Sequence, residues 1–354
     1  MTSPDGSPPP PRRGLRFGVA LVVSVAALTW FVSGVDWEPL VDTLRQVKIG
    51  WVVAASAVLV FEFVLRSLRW QVLLRPLGVR AAIKDLFAAQ VVGAAANTLF
   101  PLRAGELAKP LVAAERTGRS FVEIVATTVM ERVFDLFGMV SVLVAMVLVL
   151  PSIADGPEGG ELVANLKRYG GAFGAFALAC LVIFFMLASG EARARRTFSA
   201  ILKLGPPPIR PMFMGLFDGF VSGLGSARDI GALTRAGVLS VWMWFNGALA
   251  IWFLFQAFSM DLPFGAACFT AVAIALTVAI PQAPGFLGVF HKAMEMTMLL
   301  WGQSDAKAQG FAIVFWAVSF APVTLIGVVA MWREGLSPDR LSSLTVRQTV
   351  SSEE

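Results

Sequence analysis

The sequence predicts an all-α polytopic membrane protein with about six full transmembrane helices and two re-entrant helical hairpins in an inverted-repeat arrangement. Its residues are 56% hydrophobic and 15% charged, whereas soluble domains are nearer half apolar and a quarter charged. Several apolar runs reach the roughly 20 residues that a membrane-spanning helix needs. Two further apolar runs, 86–117 and 264–301, are interrupted by proline and glycine near their middle.

The domain organisation follows from these runs. We predict a disordered, Pro-rich cytoplasmic tail at 1–16, a single transmembrane domain at 17–332 and a cytoplasmic C-terminal tail at 333–354. The first run resembles a signal peptide in outline, but it is long and lacks a small-x-small cleavage site, which predicts an uncleaved helix. The predicted full spans are 17–34, 50–70, 120–150, 169–188, 236–258 and 310–332.

Positive charge indicates how the two broken segments are oriented. Lys and Arg cluster after the second span, after the first broken segment, in the middle region and after the last span. All these clusters lie in the cytoplasm if the first broken segment enters the membrane from that side and returns to it. The same count of Lys and Arg predicts that the second broken segment enters the membrane from outside. It also places both termini in the cytoplasm. The alternative is two ordinary kinked helices, which gives about eight full crossings.

A matched pair of interrupted hydrophobic segments, one in each half, is typical of secondary transporters, and the breaks then border the binding site. Backbone at membrane depth that is not helical must be buried in protein or line a wet cavity, because lipid cannot satisfy its peptide groups. We therefore predict that the proline and glycine residues of the two breaks form hairpin turns or a gate. These residues are Pro101, Gly105, Pro281, Pro284, Gly285 and Gly288.

Three charged residues follow the first break: Arg103, Glu106 and Lys109. Arginine offers a planar fork for phosphate and lysine offers a point charge. A helix that restarts near Ala104 would present free N–H groups to an anion, and Gly105 would allow close approach to the backbone. The pattern predicts a site for the polar headgroup of a lipid. The alternative is an interfacial turn whose charged side chains reach the headgroup layer.

Three more charged residues, Glu131, Arg132 and Asp135, lie within the predicted span 120–150. Glu131 and Asp135 are four residues apart and therefore share a helix face. A charge at the bilayer centre costs on the order of 3 kcal/mol, so these side chains should face a cavity or one another. Two compatible interpretations follow. One is a headgroup or proton pathway, and the other is an ion-pair network that ties this helix to Arg103 or Arg66.

Further charged residues accompany the second span and the second break. Arg66 and Arg69 follow Glu62 near the end of the second span, which favours an interfacial anchor and leaves phosphate guidance as the alternative. His291 and Lys292 follow the second break and are expected to meet the outer headgroup layer. A lone histidine is more often a structural residue than a proton switch.

Sequence motifs for catalysis and metal binding are absent: there is no Walker motif, nucleophile elbow or zinc spacing. His291 is the only histidine in the sequence. The two cysteines, Cys180 and Cys268, lie in apolar runs without CxxC spacing, so we predict that both are buried packing residues. We expect no metal and no cofactor, and we predict that the chain is not an enzyme. The net charge of +5 does not indicate nucleic acid, because the basic residues flank apolar segments, as membrane topology requires.

The region 190–235 between the two halves carries apolar residues at helical spacing and glycines on another face. This pattern predicts a helix that lies at the cytoplasmic interface or packs closely on its neighbours.

Two stretches resemble the flippase-like transmembrane domain of lysylphosphatidylglycerol synthases. They are FPLRAGELAKPLVAAERTGRSFVEIVATTVMERVFDLFG and PQAPGFLGVFHKAMEMTMLLWG. The similarity lies in the Arg-Ala-Gly-Glu, Glu-Arg-x-x-Asp and Pro-Gly-x-x-Gly elements, and it covers nearly the whole chain after the Pro-rich tail. The family typically shows Pro-Gly-Arg-x-Gly-Glu, whereas this chain has Leu102 in place of the first glycine.

The resemblance implies a flippase or transporter of a lipid with a polar headgroup in a bacterial inner membrane. Only 22 residues follow Trp332, so we expect translocation without the soluble aminoacyl-transfer domain of the synthases. Stand-alone members are associated with hopanoid transport and with dolichol-phosphate sugars, so the lipid is expected to be a phospholipid, a hopanoid or a polyprenyl-linked lipid. Two alternatives remain: a non-transporting membrane scaffold for a separate lipid-modifying enzyme or glycosyltransferase, and a small-solute or ion transporter.

Overall fold

The structure is a computed structural model that describes residues 28–100, 103–149, 229–279 and 284–333, with a few isolated residues between 195 and 214. Within these ranges the chain forms helices and turns and no strand, so the predicted all-α class is confirmed. Several predictions concern residues outside the described ranges: the two tails, the span 169–188, most of the region 190–235, Pro101, Pro281 and Cys180.

The described ranges contain a short helical stretch at 28–33, before nine helices with defined bounds. These are α1 (Trp37–Arg45), α2 (Ile49–Leu74), α3 (Ile83–Leu99), α4 (Gly105–Thr117), α5 (Phe121–Val149), α6 (Ile230–Ala257), α7 (Phe264–Ala279), α8 (Val289–Leu300) and α9 (Asp305–Arg333). The sequence analysis did not predict α1, which buries Leu40 and exposes most of its other side chains.

Three segments of the described chain are long and apolar enough to cross a membrane: Ile49–Leu77, Ile230–Ala257 and Asp305–Arg333. They correspond to the second, fifth and last predicted spans, so the prediction of a membrane protein is confirmed. Helix α5 matches the predicted span 120–150 in length. The number of full crossings stays a prediction.

Helices α3 and α4 form an antiparallel pair, which we call the first hairpin. A Cβ atom on Gly105 would lie 1.8 Å from the carbonyl oxygen of Gly93, so only glycine allows this contact between the two backbones. The N–H of Gly105 donates to Oδ1 of Asn97 at 2.8 Å. Arg103, in the turn between the helices, has a φ of 56°. The first broken segment therefore folds back on itself.

Helices α7 and α8 pack together as the second hairpin, which a 3₁₀ turn at Pro284–Phe286 joins. Gly285 and Gly288 have φ values of 75° and 83°, a region that glycine enters without steric cost. The indole N–H of Trp316, in α9, donates to the carbonyl oxygen of Gly285 at 2.7 Å. These backbone conformations show that the two glycines form turns.

The two breaks lie next to each other in the fold. The turn of the second hairpin contacts α3, and a Cβ atom on Gly285 would lie 3.9 Å from the carbonyl oxygen of Thr98. Residues nearly 190 positions apart in the sequence thus share one location between the long helices. Gly285 and Phe286 of the second break are buried there, as irregular backbone at membrane depth would require.

We expect Trp316→Phe to destabilise the protein by about 1–3 kcal/mol, because it leaves the buried carbonyl of Gly285 without its donor. The melting temperature of the purified protein in detergent measures this effect. Trp242→Phe is the matched control, since Trp242 is an exposed tryptophan on α6. Equal melting temperatures for the two variants would show that the bond contributes nothing to stability.

Candidate functional site

A cavity of about 770 Å³ lies between the two hairpins and the long helices. Helices α2 to α7, both hairpin turns and α9 supply its walls. The wall near the first hairpin is charged, whereas the wall near the second is apolar and includes Leu276, Phe286 and Phe320. Its volume is within the usual range of ligand sites, about 300–1,000 Å³.

Five of the six residues predicted for a headgroup site line this cavity. The sixth, Glu131, lies behind the wall and is 3% exposed. The turn before α4, α4 itself and α5 bring the five together from two separate sequence motifs, and α2 adds Arg66. The five residues are Arg103, Glu106, Lys109, Arg132 and Asp135.

Glu131 holds Lys109 at the cavity wall through an ion pair. The side-chain amide of Gln90 donates to Oε1 of Glu131 at 3.1 Å. The ammonium group of Lys109 lies 4.4 Å from the ring centroid of Trp70, which adds a cation–π contact. Lys109 therefore has a defined position, and its charge is balanced on the protein side.

Arg69, in α2, is 1% exposed. Its Nη1 lies 2.7 Å from Oδ1 of Asp135 and donates to Oγ of Ser240 at 2.9 Å. Its Nη2 lies 3.8 Å from Oε1 of Glu131. The prediction of an interfacial anchor is therefore wrong for Arg69, because its guanidinium group is buried between two carboxylates rather than at the membrane surface.

Arg132 links α5 to the first hairpin. Its Nη2 donates to Oε2 of Glu106 at 2.9 Å, and its Nη1 to Oδ2 of Asp135 at 3.2 Å. Nη2 of Arg103 lies 3.3 Å from Oε1 of Glu106, so this carboxylate bridges two arginines. An ion-pair network therefore ties α5 to Arg69, Lys109 and Glu106. Arg103 joins this network through Glu106, and Arg66 interacts electrostatically with Asp135, as the sequence suggested.

Gly105 plays a different part from the one expected. Its N–H is already bonded to Asn97, and its close backbone contact is with Gly93. One of the N–H groups at this helix start is therefore not free for an anion. The glycine brings the two arms of the first hairpin together, and it also lines the cavity.

The charges of the cluster favour an anionic ligand. Four acidic residues face five basic ones, and Arg66 is itself paired with Glu62 at 2.6 Å. The Nε of Arg103 is buried and has no hydrogen-bond partner in the part of the chain that the structure describes. Arg103 can thus donate to a phosphate oxygen without first breaking a bond at that nitrogen. The basic residues are Arg66, Arg69, Arg103, Lys109 and Arg132, and the acidic ones are Glu62, Glu106, Glu131 and Asp135.

A second cavity of about 260 Å³ adjoins the first and shares Arg66, Trp244 and Phe320 with it. Most of its other lining residues are apolar. The rings of Phe286 and Phe320 stack with their centroids 5.0 Å apart at the apolar side of the larger cavity. The two cavities together join a charged region to an apolar one, as an amphiphile requires.

The residues that follow the second break lie elsewhere. His291 is 6% exposed, and its ring centroid lies 5.2 Å from that of Phe31 and 5.6 Å from that of Trp316. The expectation that His291 meets the outer headgroup layer is therefore wrong. Lys292 pairs with Glu295 at 2.8 Å. Neither residue is among those that line the two cavities described above.

Sequence reasoning missed the polar residues of α3 that hold the site together. Gln90 and Asn97 are polar residues in the stretch 86–97 of α3, whose other residues are small or apolar. A polar side chain in such a stretch usually faces a partner or a cavity. That signal could have found both. No group of three His, Cys, Asp or Glu residues among the described residues is placed to hold a metal ion, and Cys268 is buried.

Known proteins are similar to this chain over most of its length. Glycosyltransferase AglD of Haloferax volcanii is 26% identical over 329 residues, which are 87% of this chain and 53% of AglD; the chain thus spans about half the length of AglD. A UPF0104 membrane protein of Methanothermobacter thermautotrophicus is 25% identical over 88% of this chain and 91% of its own length. Another, from Methanocaldococcus jannaschii, is 25% identical over 67% of this chain and 92% of its own length.

The family model for the lysylphosphatidylglycerol synthase TM region matches residues 17–327. The match includes both hairpins and every residue that lines the two cavities. The chain therefore belongs to the family of the lysylphosphatidylglycerol synthase TM region.

Proposed function

We propose that the protein is a lipid flippase or transporter that passes a polar headgroup through the charged cavity while the lipid tails stay in apolar surroundings. One observation carries the proposal: charged side chains from two sequence motifs line one wall of a cavity of about 770 Å³ between two helical hairpins. Transporters of this architecture bind their substrates near broken helices. The apolar second cavity supports a substrate with a hydrocarbon part.

The lengths of the hairpin arms support re-entrant segments. Helices α3 and α4 have 17 and 13 residues, and α7 and α8 have 16 and 12. At 1.5 Å per residue, even the longest arm covers about 26 Å, less than the roughly 30 Å of hydrocarbon in a bilayer. We propose that the first hairpin enters from the cytoplasm and the second from outside, with both termini cytoplasmic in a bacterial inner membrane.

The substrate class follows from the charge of the site. Five basic side chains against four acidic ones favour a headgroup with a phosphate, which Arg103 and Lys109 would contact from one wall. A phospholipid, a phosphate-linked polyprenyl lipid and a hopanoid with an anionic headgroup all have suitable polar groups. Similarity to a glycosyltransferase over half of that protein's length favours a sugar-bearing lipid among them.

We expect Arg103→Gln to slow translocation of fluorescent phosphatidylglycerol in proteoliposomes by about tenfold, because the charged donor in the cavity is lost. Transport of phosphatidylcholine, measured in parallel, tests whether an anionic headgroup is preferred. Arg45→Gln is the matched control, since Arg45 is exposed, pairs with exposed Asp42 at 3.4 Å and does not line the cavity. Wild-type rates equal to those of empty liposomes for several headgroups would refute the proposed function.

A second candidate is a membrane scaffold for a separate lipid-modifying enzyme or glycosyltransferase. The observation that favours it is that this chain matches only 53% of AglD, so the relative joins the shared region to further sequence. In either case we propose that this chain itself is not an enzyme. Stable co-purification with an enzyme, together with unchanged lipid sidedness in a deletion strain, would favour the scaffold over the transporter.

A further inference from the structure

The second hairpin contains a buried carboxylate that the proposed headgroup path does not use. Glu295, in α8, is 3% exposed and does not belong to the lining of either cavity described above. A carboxylate at membrane depth is costly, and such residues commonly mark ion or proton pathways. Its position therefore needs an explanation other than contact with the substrate.

Glu295 connects three parts of the fold. Its Oε2 lies 2.8 Å from Nζ of Lys292, one turn earlier in α8. Its Oε1 accepts a bond from the side-chain amide of Gln309, in α9, at 3.2 Å. The same amide donates to the carbonyl oxygen of Gly34 at 2.9 Å. The charge state of Glu295 thus affects contacts between α8, α9 and the segment before α1.

The same chemical arrangement occurs at the first hairpin. Both breaks have the spacing Pro-x-x-x-Gly-x-x-x-Lys, which ends at Lys109 in the first and at Lys292 in the second. Each lysine pairs with a buried glutamate, and each glutamate accepts a bond from a glutamine amide. Each ammonium group also lies over an indole, Lys109 over Trp70 at 4.4 Å and Lys292 over Trp30 at 4.6 Å.

The two arrangements differ in what surrounds them. Lys109 borders the headgroup cavity, whereas Lys292 lies beside aromatic rings and outside the described cavities. His291 adds a buried Nδ1 that has no hydrogen-bond partner among the residues that the structure describes. A site of this kind, closed to a headgroup and lined by titratable groups, suits a ligand as small as a proton.

The cluster is mechanically linked to the cavity. Phe286 lines the cavity and belongs to the turn that leads into α8. Its ring stacks on Phe320, which also contacts the ring of Phe290 at 5.5 Å between centroids. A shift of α8 relative to α9 therefore changes the apolar wall of the headgroup cavity.

On the basis of the proposed transport function, we infer that Glu295 is the proton-binding site that couples lipid translocation to a transmembrane proton gradient. A proton from one aqueous phase binds the carboxylate oxygen to give a carboxylic acid, and the same proton later leaves to the other aqueous phase. In the protonated state Lys292 has lost its counter-ion in a buried setting, which favours release of α8 from α9. Release of α8 moves Phe286 and opens the cavity wall.

The polar, charged and titratable groups that face Glu295 come from four parts of the chain. On α8 itself the neighbours are Lys292 and His291. From α9 the facing group is the neutral amide of Gln309, with Asp305 and Lys307 in the exposed first turn. The segment before α1 supplies the Gly34 carbonyl, which does not titrate. Helix α7 contributes Cys268 as the one titratable side chain in its sequence.

The first test uses fluorescent phosphatidylglycerol in proteoliposomes with and without a pH gradient. A gradient of one pH unit changes the equilibrium constant of a step coupled to one proton by about tenfold, so we expect wild-type translocation to rise by up to that factor. In Glu295→Gln the rates with and without the gradient are expected to be equal. Asp305→Asn, an exposed control on α9, keeps the response. The inference would be overturned if the wild type translocated lipid at the same rate with and without the gradient. It would also be overturned if the Glu295→Gln variant still responded to the gradient.

The second test does not depend on transport. Infrared difference spectra between acidic and alkaline pH contain carboxylic acid bands from many of the 24 acidic residues. We expect the wild type and Asp305→Asn to show one additional carboxylic acid band, from Glu295, that the Glu295→Gln spectrum lacks. A Lys292→Met/Glu295→Gln variant removes both charges and serves if the single variant does not fold. Identical spectra in wild type and in the Glu295 variants would refute proton binding. If the wild type translocates no lipid, the proposed function fails, and these spectra alone decide whether Glu295 binds a proton.

Discussion

Glu131→Gln is expected to destabilise the protein by about 3–5 kcal/mol, since it removes one partner of a buried charge pair. Glu131 is 3% exposed and faces the cations of Lys109 and Arg69. Glutamine preserves the size of the side chain and can still accept the bond from Gln90. The destabilisation therefore arises because Lys109 and Arg69 stay buried after they have lost a negatively charged partner.

The melting temperature in detergent measures this effect, with an expected decrease of about 5–10 °C. Glu115→Gln, on the exposed face of α4, is the matched control and should leave the melting temperature unchanged. The double variant Lys109→Met/Glu131→Gln should recover part of the loss, because the buried lysine charge is removed as well. A Glu131→Gln variant with the melting temperature of the wild type would show that Glu131 does not hold Lys109 in place.

Gly105→Ala is expected to have an effect of similar size, about 3 kcal/mol or more, for a steric reason. The added Cβ atom would lie 1.8 Å from the carbonyl oxygen of Gly93 and 2.7 Å from the side chain of Asn97. Since the first obstacle is backbone, the two helices must separate. Separation breaks the bond from the Gly105 N–H to Asn97 and displaces Lys109 from the cavity wall.

Gly50→Ala provides the matched control, because a Cβ atom on Gly50 meets nothing within 4 Å. Alanine is a better helix former than glycine, so this control is expected to stabilise the protein by about 0.5–1 kcal/mol. The two Gly→Ala variants should thus shift the melting temperature in opposite directions. A Gly105→Ala protein as stable and active as the wild type would contradict the close packing of the first hairpin.

The local features of the fold were predictable from the sequence because they depend on short-range patterns. Apolar runs predicted α2, α5, α6 and α9, with starts that differ by up to six residues for α6. The turn at Gly285 followed from residue type, since glycine favours turns and positive φ, whereas the residue with a positive φ at the first break is Arg103. Helix α1 escaped prediction because it is short and not apolar enough to resemble a span.

The candidate site could be predicted only in part. The motif around Arg103 and the motif around Arg132 were both identified, and the structure places them on one cavity wall. The burial of Arg69 was missed, because helical position alone does not show whether an arginine faces solvent or a carboxylate from another helix. Glu131 and Asp135 surround it only after α2 and α5 pack together.

The sequence by itself determined that this is a helical membrane protein, where its helices break, and which charged residues lie within or beside its apolar segments. These properties depend on composition and on spacing within about 30 residues, which local backbone geometry converts directly into helices and turns. Only the tertiary structure decided that the two breaks meet, that Gly105 packs on Gly93, and which carboxylate each cation contacts. Such pairings join residues far apart in the chain. Several carboxylates carry the same charge, so the packing of whole helices, and not a local sequence pattern, determines which of them each cation contacts.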